Sequence, residues 1–500
     1  MSNESPSNSG SEQPDATPPA WQPPRVSRVK GGSSPHVEKA LAEVRTKIYP
    51  RSVSGLYARW RIILVVLTQA IFYGLPWLQW NDRQAVLFDL GARKFYIFGM
   101  VLWPQDVIYL TVLLVLSAFS LFLFTAIAGR LFCGYACPQT VYTEIFMWVE
   151  RKVEGDRVAR IRLDEQPWSF RKFRLKFTKH VLWILIAWWT GSTFIGYFAP
   201  IRELGMDLLH LQLGPWQWFW MVFYAFATWG NAGFLREAVC QYMCPYARFQ
   251  SVMVDDDTFV VTYDYVRGDP RGGRSRKVDH KEAGMGDCVD CTLCVQVCPT
   301  GIDIRDGLQY MCIGCGACVD ACDEVMDKMN YDRGLIRYTS GKAITDGLTQ
   351  QQVRKRVFRP RILIYITILA LIIAAFGVSL ATRTTLRMDV IRDRGMLGRE
   401  VPGGYIENVY QLQLINAAET PLTLQLSASG QPGLTVKTAE REEATVSVAA
   451  ASNRIVPIVV RLPAGQLEFG RYDIKIQAEG WTEEGKQAIA TEPSSFFVPR

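Results

Sequence analysis

Eight of the twelve cysteines lie in two runs, Cys288-x-x-Cys291-x-x-Cys294-x-x-x-Cys298-Pro299 and Cys312-x-x-Cys315-x-x-Cys318-x-x-x-Cys322. This is the ligand spacing of a bacterial ferredoxin with two [4Fe-4S] clusters, in which the fourth cysteine of each run serves the cluster of the other. One cubane is therefore expected on Cys288, Cys291, Cys294 and Cys322, and the second on Cys312, Cys315, Cys318 and Cys298. Zinc ribbons use paired knuckles set well apart, which these dense runs do not resemble. Disulfides call for an oxidising compartment, whereas cluster assembly needs reduced thiols. The second run ends Cys322-Asp323, without the proline that follows Cys298.

The other four cysteines form a matched set, Cys133-Gly-Tyr-Ala-Cys137-Pro138 and Cys240-Gln-Tyr-Met-Cys244-Pro245, each with an arginine upstream, Arg130 and Arg236. A duplicated two-helix hairpin explains the symmetry. A proline at the first helical position makes Cys137 and Cys244 the caps of the helices that follow, where the N-terminal dipole favours thiolate. Such sulfurs suit a soft ion such as Cu(I), and two motifs together supply up to four ligands. The plainer reading makes them small buried residues at packed helix ends.

These residues need a framework, and the composition says it is partly a membrane one. The chain is 49% hydrophobic, with fifteen tryptophans, yet 21% charged, which describes a mixed membrane and soluble protein. Five stretches approach the roughly 20 residues of a spanning helix: Arg61 to Trp80, Val107 to Ala128, Val181 to Phe198, Trp216 to Phe234 and Ile362 to Ala381. About five spans are expected. A dense run of Lys and Arg from Arg130 to Lys179 separates the second stretch from the third, against Arg202 in the next loop. By the positive-inside rule the basic segment, the N-terminus and the cysteine runs face the cytoplasm, and everything after Ala381 is exported. Arg383, Arg387, Arg392 and Arg394 pull the other way, although long exported domains obey the rule poorly.

The flanks differ in kind. Residues 1–53 are polar and Pro-rich, with no apolar stretch near Met1, and read as a disordered arm without a cleavable signal peptide. Beyond about Met388, alternation in Leu422-Leu424-Leu426, Ala444-Val446-Val448 and Ile474-Ile476-Ala478 marks half-buried strands. A small immunoglobulin-type β-sandwich is expected there. The organisation is then a 1–53 arm, a 54–250 membrane domain with the duplicated motifs, a 251–345 ferredoxin-like insert, a 346–386 basic linker and fifth span, and a 387–500 exported β domain.

Among the four histidines, His36 and His280 lie outside the apolar stretches and His180 and His210 flank the third on opposite sides, so no pair can clamp a haem in the bilayer. No strand-turn-helix G-x-G-x-x-G or P-loop occurs, so the electron donor is external: a cytoplasmic reductase, a small carrier or the quinone pool.

The two C-x-x-x-C-P motifs, with Cys298-Pro-Thr-Gly-Ile-Asp-Ile304 and Cys312-Ile-Gly-Cys315, resemble the cytochrome c oxidase accessory family called CcoG, FixG or RdxA/RdxB. The resemblance covers nearly the whole chain past about Ile48. It implies a membrane iron-sulfur protein that acts as a cupric reductase and helps to assemble cbb-type cytochrome oxidase in the bacterial inner membrane. Copper would be substrate or transient ligand at Cys133, Cys137, Cys240 and Cys244, and oxidase assembly factors or a copper transporter would be partners. No nucleic-acid partner is expected, and a homodimer is left open. Two other readings are a quinol-oxidising subunit like NapH, which the extra span and β domain argue against, and a redox-sensing scaffold.

Overall fold

The computed structural model describes residues 47–276, 279, 281–392, 398–438, 444–481 and 487–500. Most of the expected N-terminal arm, together with His36, His280 and Arg394, lies outside them. The chain begins with helix α1 (Leu56–Gly74) and a small antiparallel sheet of β1 (Val86–Asp89), β2 (Lys94–Ile97) and β3 (Met100–Leu102). It continues through α2 (Val107–Ala128), α3 (Leu131–Tyr135), α4 (Pro138–Glu154), α5 (Arg157–Glu165), α6 (Phe170–Ile195), α7 (Pro215–Gly230) and α8 (Pro245–Met253). Strand β4 (Val260–Tyr263), helix α9 (Ala317–Met329) and strand β5 (Ile336–Thr339) frame the cysteine runs, and α10 (Pro360–Ala381) leads to the C-terminal strands.

Three helical segments among the described residues are long and apolar enough to cross a bilayer, Leu56–Trp77, Pro104–Ala128 and Pro360–Ala381. The expectation of about five spans is corrected by two of its members. Helix α6 carries Arg171, Lys172, Arg174, Lys176 and Lys179 along its first half, and its apolar remainder stops at Gly196. Helix α7 has 16 residues, about 24 Å against a hydrocarbon core of about 30 Å. In α2, by contrast, Thr111, Ser117 and Thr125 turn their hydroxyls back to carbonyls four residues earlier, which satisfies those donors within the helix.

The spanning helices are tied down at both ends by charge. Helix α1 has no side-chain cap of its own; the Asp320 carboxylate on α9 accepts from the Tyr57 and Ala58 backbone N–H groups at 3.2 and 2.8 Å. An anion at a helix N-terminus satisfies orphan donors and opposes the dipole. Arg359, just before α10, donates to Asp255 at 2.5 Å and to the Ala126 carbonyl at 2.8 Å. At the other end of α2 and α10, buried Asp106 pairs with Arg383 at 2.5 Å and Arg387 at 2.7 Å. The cysteine segment and the C-terminal strands therefore lie at opposite ends of α2 and α10.

The C-terminal strands make two antiparallel sheets. One has the order β10 (Thr435–Thr438), β12 (Asn453–Pro463), β8 (Tyr405–Asn416), β6 (Leu386–Arg392), with β7 (Arg399–Val401) also on β8. The other runs β11 (Thr445–Val448), β9 (Leu422–Ser429), β13 (Gly470–Trp481), β14 (Gln487–Val498). Alternate residues of both, among them Leu412, Leu424, Ile458 and Ile476, fill one core. The expected immunoglobulin-type β-sandwich is corrected to two open sheets across that core, because each sheet ends in edge strands and neither curls onto itself.

Between α4, α5 and α6 lies a buried ion network. Glu150 has no exposed surface and pairs with Arg160 and Arg236 at 3.0 Å and Lys179 at 3.3 Å. One turn on, Glu154 pairs with Lys179 at 2.8 Å and Lys176 at 3.0 Å. Removing the anion leaves buried cations uncompensated, which costs far more than the pair contributes. Glu150→Ala is expected to lower stability by about 3–5 kcal/mol, read as the detergent-solubilised melting midpoint, while Glu324→Ala, in an exposed pair with Lys328, stays within about 0.5 kcal/mol of wild type.

Candidate functional site

The two cysteine runs wrap α9 beneath the short sheet β4–β5, which pairs Val260 with Thr339 and Tyr263 with Ile336. Two small cavities result. The first is lined by Cys288, Cys291, Cys294 and Cys322, with Tyr263, Leu293, Val325, Met326 and Leu335 as apolar wall. The second is lined by Cys298, Cys312, Cys315 and Cys318, with Cys294 at its margin and Val261, Ile302, Ile304 and Ile313 around it. Cys318 and Cys322 stand one turn apart on α9 and reach different cavities, which is how the fourth cysteine of each run comes to join the other group. Gly314 (φ +64°) and Gly316 (φ +72°) let the second run fold this tightly, and a Cβ on Gly316 would lie 2.8 Å from Tyr57.

The chemistry of this donor set fits iron-sulfur clusters. Burial pushes the Cys294 and Cys312 thiols up to about 12. It also raises Cys322, with Cys294, Cys288 and Cys291 adding to it, and Cys318, with Cys315, Cys312 and Cys298 adding to it. Such thiols keep their protons at neutral pH unless a metal replaces them. Among the described residues no three His, Cys, Asp or Glu side chains converge on a single ion. Each cavity does gather four cysteines, the number of thiolates that one [4Fe-4S] cubane takes.

The duplicated motifs meet beside the second cavity. Cys137 and Cys244 are the N-caps of α4 and α8, each with proline next. In both repeats the chain tightens by a bond to the carbonyl five residues back, Cys137 N–H to Phe132 at 3.0 Å and Cys244 N–H to Val239 at 2.9 Å. Cys240 sits in a π-helical turn, Val239–Met243, a geometry frequent at functional sites. The Cys133 sulfur lies 3.7 Å from the Gln250 amide nitrogen. Burial pushes Cys133 up to about 12, Cys137 adding to it, and Cys240 to about 11, Cys137 and Cys244 adding to it. Cys137 is also raised by burial, against the N–H groups of Gln139 and Thr140. The cap position alone therefore does not make it a thiolate as the sequence led us to expect.

The paired arginines part company. Arg130 donates to the Ala247 carbonyl at 2.7 Å, lies over the Tyr310 ring, and favours the thiolate forms of Cys133 and Cys240. Arg236 instead turns inward to Glu150.

The membrane-edge turn also presses directly on the cluster loop. Cys133 packs with Ile313 and Cys315, and a Cβ on Gly134 would lie 2.8 Å from the Ile313 carbonyl oxygen and 2.9 Å from the Cys315 Cα. Tyr338 donates to the Gly314 carbonyl; its hydroxyl is 3.4 Å from that of Tyr135, and its ring is 5.1 Å from that of Tyr57. Motif spacing located every cysteine but missed Gly134, Gln250, Asp320 and Tyr338, whose roles arise from contacts between distant segments. Only Gly134, inside a motif, offered a signal.

Similarity to known proteins agrees with this arrangement. A family described as a 4Fe-4S dicluster domain matches residues 235–341, one described as a 4Fe-4S binding domain matches 110–154, and one described as an IG-like fold at the C-terminal of FixG matches 376–499. The nitrogen fixation protein FixG of Rhizobium meliloti (strain 1021) is 37% identical over 495 residues, 92% of each chain. The chain belongs to the FixG/RdxA/RdxB family. RdxA and RdxB of Cereibacter sphaeroides are 39% and 38% identical, covering 86% and 88% of this chain and 92% and 94% of their own. With its apolar spans and 4Fe-4S domains, this FixG/RdxA/RdxB relative is a multi-pass membrane iron-sulfur protein with an electron-transfer role.

Because Gly134 is where the two loops touch, Gly134→Val should displace the Cys312–Cys315 loop. Iron content should fall, and the electron paramagnetic resonance spectrum of the reduced protein should change. Gly205→Ala, whose added methyl meets nothing within 4 Å, is the control. Wild-type iron and spectrum in Gly134→Val would contradict the contact.

Proposed function

We propose that this protein reduces Cu(II) to Cu(I) at the membrane surface in support of cbb-type cytochrome c oxidase assembly. The observation that carries the reading is the packing of Cys133 and Gly134 on the Ile313–Cys315 loop. It sets soft, metal-binding sulfurs against an electron-carrying centre. Cys288, Cys291, Cys294 and Cys322 would hold one [4Fe-4S] cluster and Cys298, Cys312, Cys315 and Cys318 the other; bound there, they supply one-electron chemistry over a wide range of potentials.

The membrane-edge cysteines do the copper work. Cys133, Cys137, Cys240 and Cys244 act as transient ligands. No three of them converge on one ion, which fits copper passing through better than a closed storage site. Thiolates favour Cu(I), so product formation is assisted by the same sulfurs that receive Cu(II), and Arg130 favours the ionised forms of Cys133 and Cys240. The basic run from Arg130 to Lys179 supports a cytoplasmic cysteine domain and an exported β domain. An external donor supplies the electrons, and the β domain is the surface for assembly factors or a copper transporter.

Serine at Cys133, Cys137, Cys240 and Cys244 together should slow the reduction of Cu(II) by protein that has been reduced with dithionite and freed of excess reductant, by about tenfold or more, about 1.4 kcal/mol in the barrier. Iron should stay near about eight per chain, the content of two cubanes. Undiminished reduction with both clusters present would remove the thiols from the reaction.

A further inference from the structure

A cleft of about 900 Å³ opens on the side of α9 away from the cysteines, within the ~300–1,000 Å³ typical of small-molecule sites. Its floor is the outer face of α9, at Val319, Asp320, Asp323, Glu324 and Asp327. The same helix presents Cys318 to one cavity and Cys322 to the other. An occupant is thus separated from both cysteine groups by one helix, a body about 10–12 Å across. Tyr338 forms part of the wall, its ring tilted against that of Tyr57 and its hydroxyl bonded to the Gly314 carbonyl between Cys312 and Cys315.

We infer that this cleft binds a neutral hydroquinone carrying an apolar tail, the external electron donor; the inference rests on the electron-transfer reading above. The carboxylates of α9 line the floor, with Arg333 and Arg337 engaged by Asp327 and Asp264. A phosphate-bearing nucleotide would meet those carboxylates with like charge, whereas hydroquinone hydroxyls can donate to them. Leu56 and Tyr57, the first residues of the α1 span, form one side, and Leu348 and Val353, ahead of the α10 span, form another. A tail can leave between these two helix starts into lipid. The electron count also agrees: a hydroquinone yields a quinone, two electrons and two protons, the protons going to cytoplasmic water. Two one-electron centres on the far face of α9 match that number.

The test uses the full chain in lipid nanodiscs and decylubiquinone as probe. Binding should be saturable and should quench protein fluorescence, and a photoreactive azidoquinone should label peptides that line the cleft. Leu348→Trp, at a residue that lines the cleft and neither cysteine cavity, should weaken binding by about tenfold or more, about 1.4 kcal/mol, with iron content unchanged. FMN and NADH should not compete. Unchanged affinity in Leu348→Trp, labelling elsewhere, or displacement of the probe by a nucleotide would overturn the assignment. Cupric reduction by protein first reduced with dithionite and freed of excess reductant bypasses the cleft and should survive in Leu348→Trp. Its absence from the wild type would instead overturn the copper reading and leave the quinone result standing.

Discussion

The contact between the Cys133–Gly134 turn and the Ile313–Cys315 loop holds the functional architecture together. A residue without a side chain lets two backbones approach to a distance no Cβ allows. The membrane hairpin and the cysteine domain thereby share a surface where each carries sulfur. Other ties keep that surface in register: the Asp320 carboxylate caps α1, Arg359 bridges Asp255 to the end of α2, and Tyr338 fastens the Gly314 turn. The first two join a polar group in the cysteine segment to the end of an apolar helix, where a backbone group would otherwise lack a partner.

Burial does opposite things on the two sides of this junction. Around Glu150 it is tolerated because cations and anions are matched inside the helix packing, and such matched sets fix geometry more than they add stability. Around the cysteines it raises thiol pKa values, and the nearby cations Arg305, at Cys294, and Arg130, at Cys312, offset it only in part. An iron-sulfur cluster bound there would take the place of the thiol protons, and its binding would add to the stability of the segment.

The sequence disclosed the chemistry more fully than the architecture. Ferredoxin spacing is a local pattern, so the grouping of Cys322 with the first run and Cys298 with the second could be read without coordinates. The alternation of Leu422, Leu424 and Leu426 likewise announced strands. Apolar runs misled at α6 and α7, because counting hydrophobic residues ignores the charges that α6 carries in its first half and the π-helical turn that follows α7 after 16 residues. The open sheets, the divergence of Arg130 from Arg236, and the cleft beside α9 depend on tertiary placement, which no spacing rule encodes.

The measurement that bears most directly on the account is an anaerobic titration. The protein is reduced with dithionite, freed of excess reductant, and given Cu(II) in small increments while the spin signals of copper and of the reduced iron-sulfur protein are followed together. The account predicts that each Cu(II) added loses its signal as one electron leaves the protein, up to two per chain, the capacity of two one-electron clusters. Reduced-protein signals that persist beside unreduced Cu(II) would contradict it.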